Sequence, residues 1–184
     1  TIMWGALLHL ALQTRLNDWY EESEVGYYFA IIGFGGGLMA TLSQIAMGTL
    51  SDRSMHPAGR RRPYMVVGTT LTIIALLALG SARTFWPFAA AIVLLQLFSN
   101  TALGPFTALL PDTVNPREHG KAAGFMGAAR LVGDVGGLIL AAQLLGTAGL
   151  GKVTEEQIRA FHDERMFLLC AVMGALLLVA LLST

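Results

Sequence analysis

The sequence is short of charge. Aspartate, glutamate, lysine and arginine make up only 13% of its 184 residues, and 54% are hydrophobic. Soluble domains carry roughly 25% charged residues, so this composition points away from a soluble enzyme or a nucleic-acid-binding domain and toward a membrane protein. Cysteine is nearly absent: Cys170 stands alone, which excludes an internal disulfide framework. The four histidines, His9, His56, His119 and His162, fall in different segments without the spacing of a metal site. No serine or cysteine sits in a nucleophile motif. No metal, cofactor or enzymatic activity is therefore expected. No signal peptide is visible, and the chain begins at Thr1 inside an apolar run, which reads as a span that has lost its start. The formal net charge is zero, but that sum says little about partners when two membrane faces of opposite charge cancel.

What the sequence has in quantity is long hydrocarbon. Six apolar runs approach the ~20 residues that a bilayer-spanning helix needs: Thr1 to about Leu16, about Gly26 to Leu50, about Tyr64 to Ala82, Trp86 to about Leu110, about Ala122 to Leu145, and Met166 to Thr184. The expected fold class is an all-α membrane protein, a bundle of six transmembrane helices. Between the fifth and sixth runs lies a polar connection, Gly146 to Arg165, whose VTEEQIRAFHDER reads as a short acidic surface helix. Orientation follows from the bias of lysine and arginine toward cytoplasmic loops. The loops joining runs two to three and four to five hold Arg53, Arg60, Arg61, Arg62, Arg117 and Lys121 against the acids Asp52, Asp112 and Glu118. The other side holds five basic residues against eight acids, among them Asp18, Glu21, Glu155 and Asp163. The first set is expected to face the cytoplasm, in a multi-pass protein of the plasma or inner membrane.

One stretch, GTLSDRSMHPAGRRRPYM from Gly48 to Met65, concentrates four arginines between two apolar runs. The bias toward positive inner loops explains the number of arginines but not the order of the residues. Gly48 suits a close approach of another helix, Asp52 can accept hydrogen bonds from a neighbouring helix N-terminus, and Pro63 suits a first helical turn. This loop resembles the signature loop of the major facilitator superfamily, in the long form ending GRRRP found in the branch of sucrose transporters and glycoside-pentoside-hexuronide symporters. A second stretch, SNTALGPFTALLPD from Ser99 to Asp112, is similar to the fourth helix of the sucrose-transporter branch. The resemblance implies that residues 1–184 form the N-terminal six-helix half of a twelve-helix carrier, with a C-terminal bundle completing it. It also implies that Gly48, Asp52, Arg53, Gly59, Arg60, Arg61 and Arg62 form a cytoplasmic gate motif. Where that branch carries an aspartate and, further on, an arginine in its fourth helix, this chain has Gln96 and Thr107, so charges linked there to proton-coupled sugar transport are missing.

Polar side chains within spans are costly and mark functional positions by default. Three pairs lie four residues apart, each on one helix face: His9 with Gln13, Gln96 with Asn100, and Arg130 with Asp134. His9, Gln13, Gln96, Asn100 and Arg130 are read as solute-binding and Asp134 as the coupling residue. His9 serves packing equally well. Gln44 lies in a stripe with Gly36, Ala40 and Gly48 and reads as a packing residue. The glycines of GFGGG, Gly33 to Gly37, sit mid-helix and read as close-packing positions rather than a phosphate cradle. Counted from Ala122, Arg130 and Asp134 lie roughly 12 and 18 Å deep at 1.5 Å per residue, near the middle of a ~30 Å core; an ion pair between them makes both tolerable there, as a structural bridge or as a working one. The expected function is secondary active transport of a small polar solute, a sugar or glycoside, by alternating access with proton or sodium coupling in the lipid bilayer, without nucleic acid. The alternative is a non-transporting membrane sensor or assembly subunit on the same fold.

Overall fold

The computed structural model describes residues 2–55, 59, 61–108, 112–146 and 154–182. The first run is a helix in two parts, α1 (Ile2–Ala6) and α2 (Leu12–Trp19), joined by a π-helical turn at Leu7–Ala11. Five long helices follow: α3 (Glu22–Arg53), α4 (Arg62–Ser81), α5 (Phe85–Thr107), α6 (His119–Leu145) and α7 (Glu155–Leu182). Each of the five is long and apolar enough to cross a bilayer, and no strand occurs among the described residues. The chain is an integral, multi-pass, all-α membrane protein.

The polar VTEEQIRAFHDER is not a separate surface helix, because α7 begins at Glu155 and runs unbroken through it. The reason is visible in its side chains: His162 is buried, at 6% exposure, and Asp163 pairs with Arg15. A segment anchored on another helix has no cause to break. The gate loop follows its chemistry more closely. Gly59 has φ +100°, a left-handed backbone that favours glycine, and Pro63 stands in the first turn of α4.

Lipid tails are as apolar as leucine, so helices in a membrane associate through close packing rather than hydrophobic burial. The fold rests on α5, which lies between α3 and α4, while α4 packs on its other side against α7, and α6 packs against α1. At three crossings a missing side chain admits the neighbour. A Cβ on Gly68 would lie 2.6 Å from the Ala102 amide nitrogen, one on Gly104 would lie 3.0 Å from the Gln44 carbonyl oxygen, and one on Gly80 would lie 3.0 Å from Cβ of Cys170. The expectation that Gly48 itself admits a neighbour is corrected. Nothing lies within 4 Å of a Cβ built there, and it is Gly104 that brings α5 against the Gly48 amide. Gln44 takes part through its backbone.

Packing is uneven along the bundle. The buried core draws Leu12 and Leu16 from α2, Leu76 and Leu79 from α4, Phe88 and Leu95 from α5, and Met166 and Leu169 from α7. These positions cluster at the end opposite the GRRRP loop. On α6 the buried positions are Gly133, Gly137, Ala141 and Leu145, one face in steps of four, whereas Phe125 and Leu131 nearer the loop end are exposed. The bundle is therefore tight at one end and open at the other. Gly68→Ala is expected to destabilise the fold by about 1–3 kcal/mol, the usual cost of overpacking. Gly26→Ala, with nothing within 4 Å of the added carbon, is expected to leave it unchanged; thermal melting of the two purified proteins in detergent checks the contrast.

Candidate functional site

Two polar constructions flank the open end. At its rim, the Arg61 guanidinium donates through Nη2 to Asp52 at 3.1 Å and to Asp112 at 2.8 Å, and through Nη1 to the Pro105 carbonyl at 3.4 Å. One arginine thus ties the end of α3, the start of α4 and the chain just past α5. Its side chain is 12% exposed, but the carboxylates are 55% and 51% exposed, so each pair contributes at most about 1 kcal/mol. Such a clasp holds loosely and can open. Arg53 and Arg62 are exposed beside it, and Arg60 lies outside the described residues.

Deeper in, a cavity of about 410 Å³ opens between α1, α4, α5 and α6. Trp4, Thr69, Thr72, Ser99, Thr107 and Arg130 supply its polar lining, with methionine, leucine and phenylalanine around them. Of the candidate solute-binding and coupling residues whose side chains are described, this cavity gathers Arg130 alone, and Thr107, named above for the charge it lacks, lines it too. The ion pair expected between Arg130 and Asp134 is not formed. Helical side chains lean toward the helix N-terminus, which carries Arg130 toward Met126 and Gly127 in the cavity wall and away from Asp134. An arginine four residues before its acid is also the less favourable order for a pair. Asp134 is half-buried, and its Oδ1 is closed to solvent with no hydrogen-bond partner among the described residues.

Gln96 and Asn100 do meet, but each other: Asn100 Nδ2 donates to the Gln96 carbonyl at 2.8 Å and to its Oε1 at 3.4 Å. A Cβ on Gly36 would lie 3.1 Å from Gln96 Cγ, which puts this amide against α3 rather than in the cavity wall. Gln13 is exposed on α2. The backbone of His9 lies in the π-helical turn, a feature frequent at functional sites; its side chain is outside the described set. Thr69, Thr72 and Ser99 were not marked as candidates, and Thr107 was marked only for the charge it lacks, because hydroxyls are common on spans and carry no charge of their own.

The tight end holds a second cluster that the sequence reading missed. Arg15 is buried, at 1% exposure, and is paired with Asp163 through Nη1, with its guanidinium 5.5 Å from the centre of the Trp19 ring. One turn on, His162 Nδ1 donates to Asp18 at 2.8 Å, with both side chains nearly buried. Burial raises the Asp18 carboxyl above its ordinary range, against the opposing pull of His162, Arg15 and Arg159. The signal was present as Arg15 and Asp18 three apart and His162 and Asp163 adjacent, but these were read as loop charges. Together they pin the first helix to α7.

A family model described as Major Facilitator Superfamily matches residues 36–184. A sucrose transport protein of Arabidopsis thaliana is 30% identical over 153 residues, 73% of this chain and 29% of that protein. A phosphoglycerate transporter protein of Salmonella typhimurium is 30% identical over 114 residues, 61% of this chain and 24% of that protein. The chain thus spans under a third of the length of these curated relatives. No solved structure matches.

Asp163→Asn leaves the Arg15 guanidinium buried without its counter-charge. Asp163 is 30% exposed, so the loss is expected near the low end of the range for a broken buried pair, about 3 kcal/mol. Replacing both partners, Arg15→Met with Asp163→Leu, is expected to recover most of it; melting temperatures of the single and double variants check this.

Proposed function

This chain belongs to the major facilitator superfamily, and we propose that it forms the N-terminal six-helix bundle of a secondary transporter for a small polar, sugar-like solute. A second bundle across the cavity would complete the path, and the two would rock about the bound solute to give alternating access. The observation that carries this reading is the cavity itself: hydroxyls and one guanidinium lining a space between helices, with the packed core lying toward the end opposite the clasp. The relatives named for sucrose and for phosphoglycerate support a hydroxyl-rich solute. On this reading the clasp end faces the cytoplasm of a plasma or inner membrane, as the basic loops suggest. His9, Gln13, Gln96 and Asn100 are then proposed to meet the solute only in another state of the cycle.

Asp134 is the proposed coupling residue. Among the described residues its Oδ1 has no hydrogen-bond partner, and at membrane depth a lone carboxylate is costly, a cost that a bound proton or sodium ion removes. Arg130, one turn away, is free to serve the solute. The clasp of Asp52, Arg61 and Asp112, with Gly48, Arg53, Gly59, Arg60 and Arg62 around it, is proposed as the gate motif, breaking and reforming as the bundles rock.

Uptake of labelled solutes by the complete protein in proteoliposomes tests the reading, with accumulation expected to depend on an imposed proton or sodium gradient. Asp134→Asn is expected to abolish that accumulation while solute exchange across the membrane continues; unchanged accumulation in this variant contradicts the coupling role. Asp52→Asn is expected to slow turnover about two- to fivefold, the rate equivalent of an exposed ion pair, with binding affinity unchanged; loss of affinity at an unchanged rate contradicts the gate role.

A further inference from the structure

We infer that the solute carries one anionic group, a carboxylate or phosphate, on a hydroxyl-bearing skeleton, and that Arg130 selects it. The inference deepens the transporter reading and rests on it. Among the described residues lining the cavity, Arg130 is the sole ionisable side chain. No carboxylate shares the wall, and Arg130 takes part in no ion pair among the described residues. Arg130 is exposed at the cavity wall, where it can meet a solute, and its planar fork matches a carboxylate or phosphate through two parallel hydrogen bonds; a second bundle closing over the cavity would lower the dielectric and strengthen that attraction. A cationic solute is repelled, and a neutral polyol leaves the charge uncompensated.

The hydroxyls of the wall state the other half of the specificity. Thr72 Oγ1 donates to the Gly68 carbonyl at 2.7 Å, Thr107 Oγ1 to the Gly104 carbonyl at 2.9 Å, and Ser99 Oγ to the Gln96 carbonyl at 3.4 Å. A hydroxyl has one proton to give and two lone pairs to offer. With their protons given to their own helix, Thr72 and Thr107 offer a ligand lone pairs, while the long Ser99 contact leaves that hydroxyl able to donate or accept. A solute meeting them must bring donors, and its own hydroxyls are donors. An anion without hydroxyls satisfies Arg130 and leaves the acceptors bare; a polyol satisfies the acceptors and leaves Arg130 bare. A polyhydroxylated oxyanion satisfies both.

The test uses matched pairs on the complete protein in detergent, with binding followed by calorimetry: gluconate against glucitol, glucose 6-phosphate against glucose, and formate as an anion without hydroxyls. At least one of the two oxyanions is expected to bind about tenfold or more tighter than its neutral partner and than formate, and which one does separates carboxylate from phosphate recognition. Arg130→Gln is expected to bring acid and neutral partner to within about twofold, while Arg130→Lys keeps the preference and shows that the cavity survives substitution at this position. Equal binding of acid and neutral partners by the unaltered protein overturns the inference, as does a preference that persists in Arg130→Gln. The transporter reading is separable: gradient-driven uptake with no preference for acids removes the anion selection alone. An oxyanion that binds through Arg130 yet is never carried removes transport and leaves the site.

Discussion

The structure depends on how closely α5 can be approached. Within hydrocarbon there is no water to drive helices together, so what holds this bundle is backbone against backbone, and that requires absent side chains at the crossings. Gly68 and Gly104 provide them on the two flanks of α5. Between them they set the spacing of α3, α4 and α5, and α4 and α5 supply the cavity wall that carries Ser99, Thr107, Thr69 and Thr72. A single methyl group at Gly68 would have to displace the Ala102 amide, and the lining threonines with it.

The two ends of the bundle are built on different physics. At the tight end, buried charge is paired in a packed core: Arg15 with Asp163 and Asp18 with His162, beneath Trp19, Phe88 and Tyr28. Removing one partner there leaves an uncompensated charge, so the joint between the first helix and α7 is stiff. At the open end the ion pairs of Arg61 are half in water, and each is weak enough to break at small cost. One end is thus joined by buried, paired charge and the other by a clasp half in water.

Much of the fold was legible in the sequence because span length and apolar content are one-dimensional properties. The helices α3 to α6 lie where the apolar runs place them, and the loop GRRRP with the closing Asp112 marked the family. The polar clusters were harder. The Arg130 and Asp134 spacing suggested a pair, yet side-chain lean and charge order, which spacing does not encode, keep them apart. Arg15 and Asp163 are 148 positions apart, and no local pattern announces a contact of that reach; their location near span ends made them look like loop charges. Gly48 drew attention through its place in the signature loop, while the glycine that opens the crossing is Gly104, inside a Gly-Pro step. Thr69, Thr72 and Ser99 did not stand out for the plainest reason, that threonine and serine on a span are more often satisfied by their own helix.

The central claim is that the cavity beneath the clasp is a solute path with access from either face in turn. Cys170, the lone cysteine of these 184 residues, is fully buried, so a cysteine introduced in the cavity wall is the one that a labelling reagent reaches in this bundle. In the complete protein with every cysteine, Cys170 among them, replaced by serine, a cysteine placed at Thr69, in the cavity wall, is challenged with a membrane-impermeant maleimide from each side of sealed vesicles, with and without transported solute on the opposite side. The account predicts labelling from both faces, with solute shifting the balance between them. Labelling from one face only, unmoved by any solute that the protein binds, contradicts it.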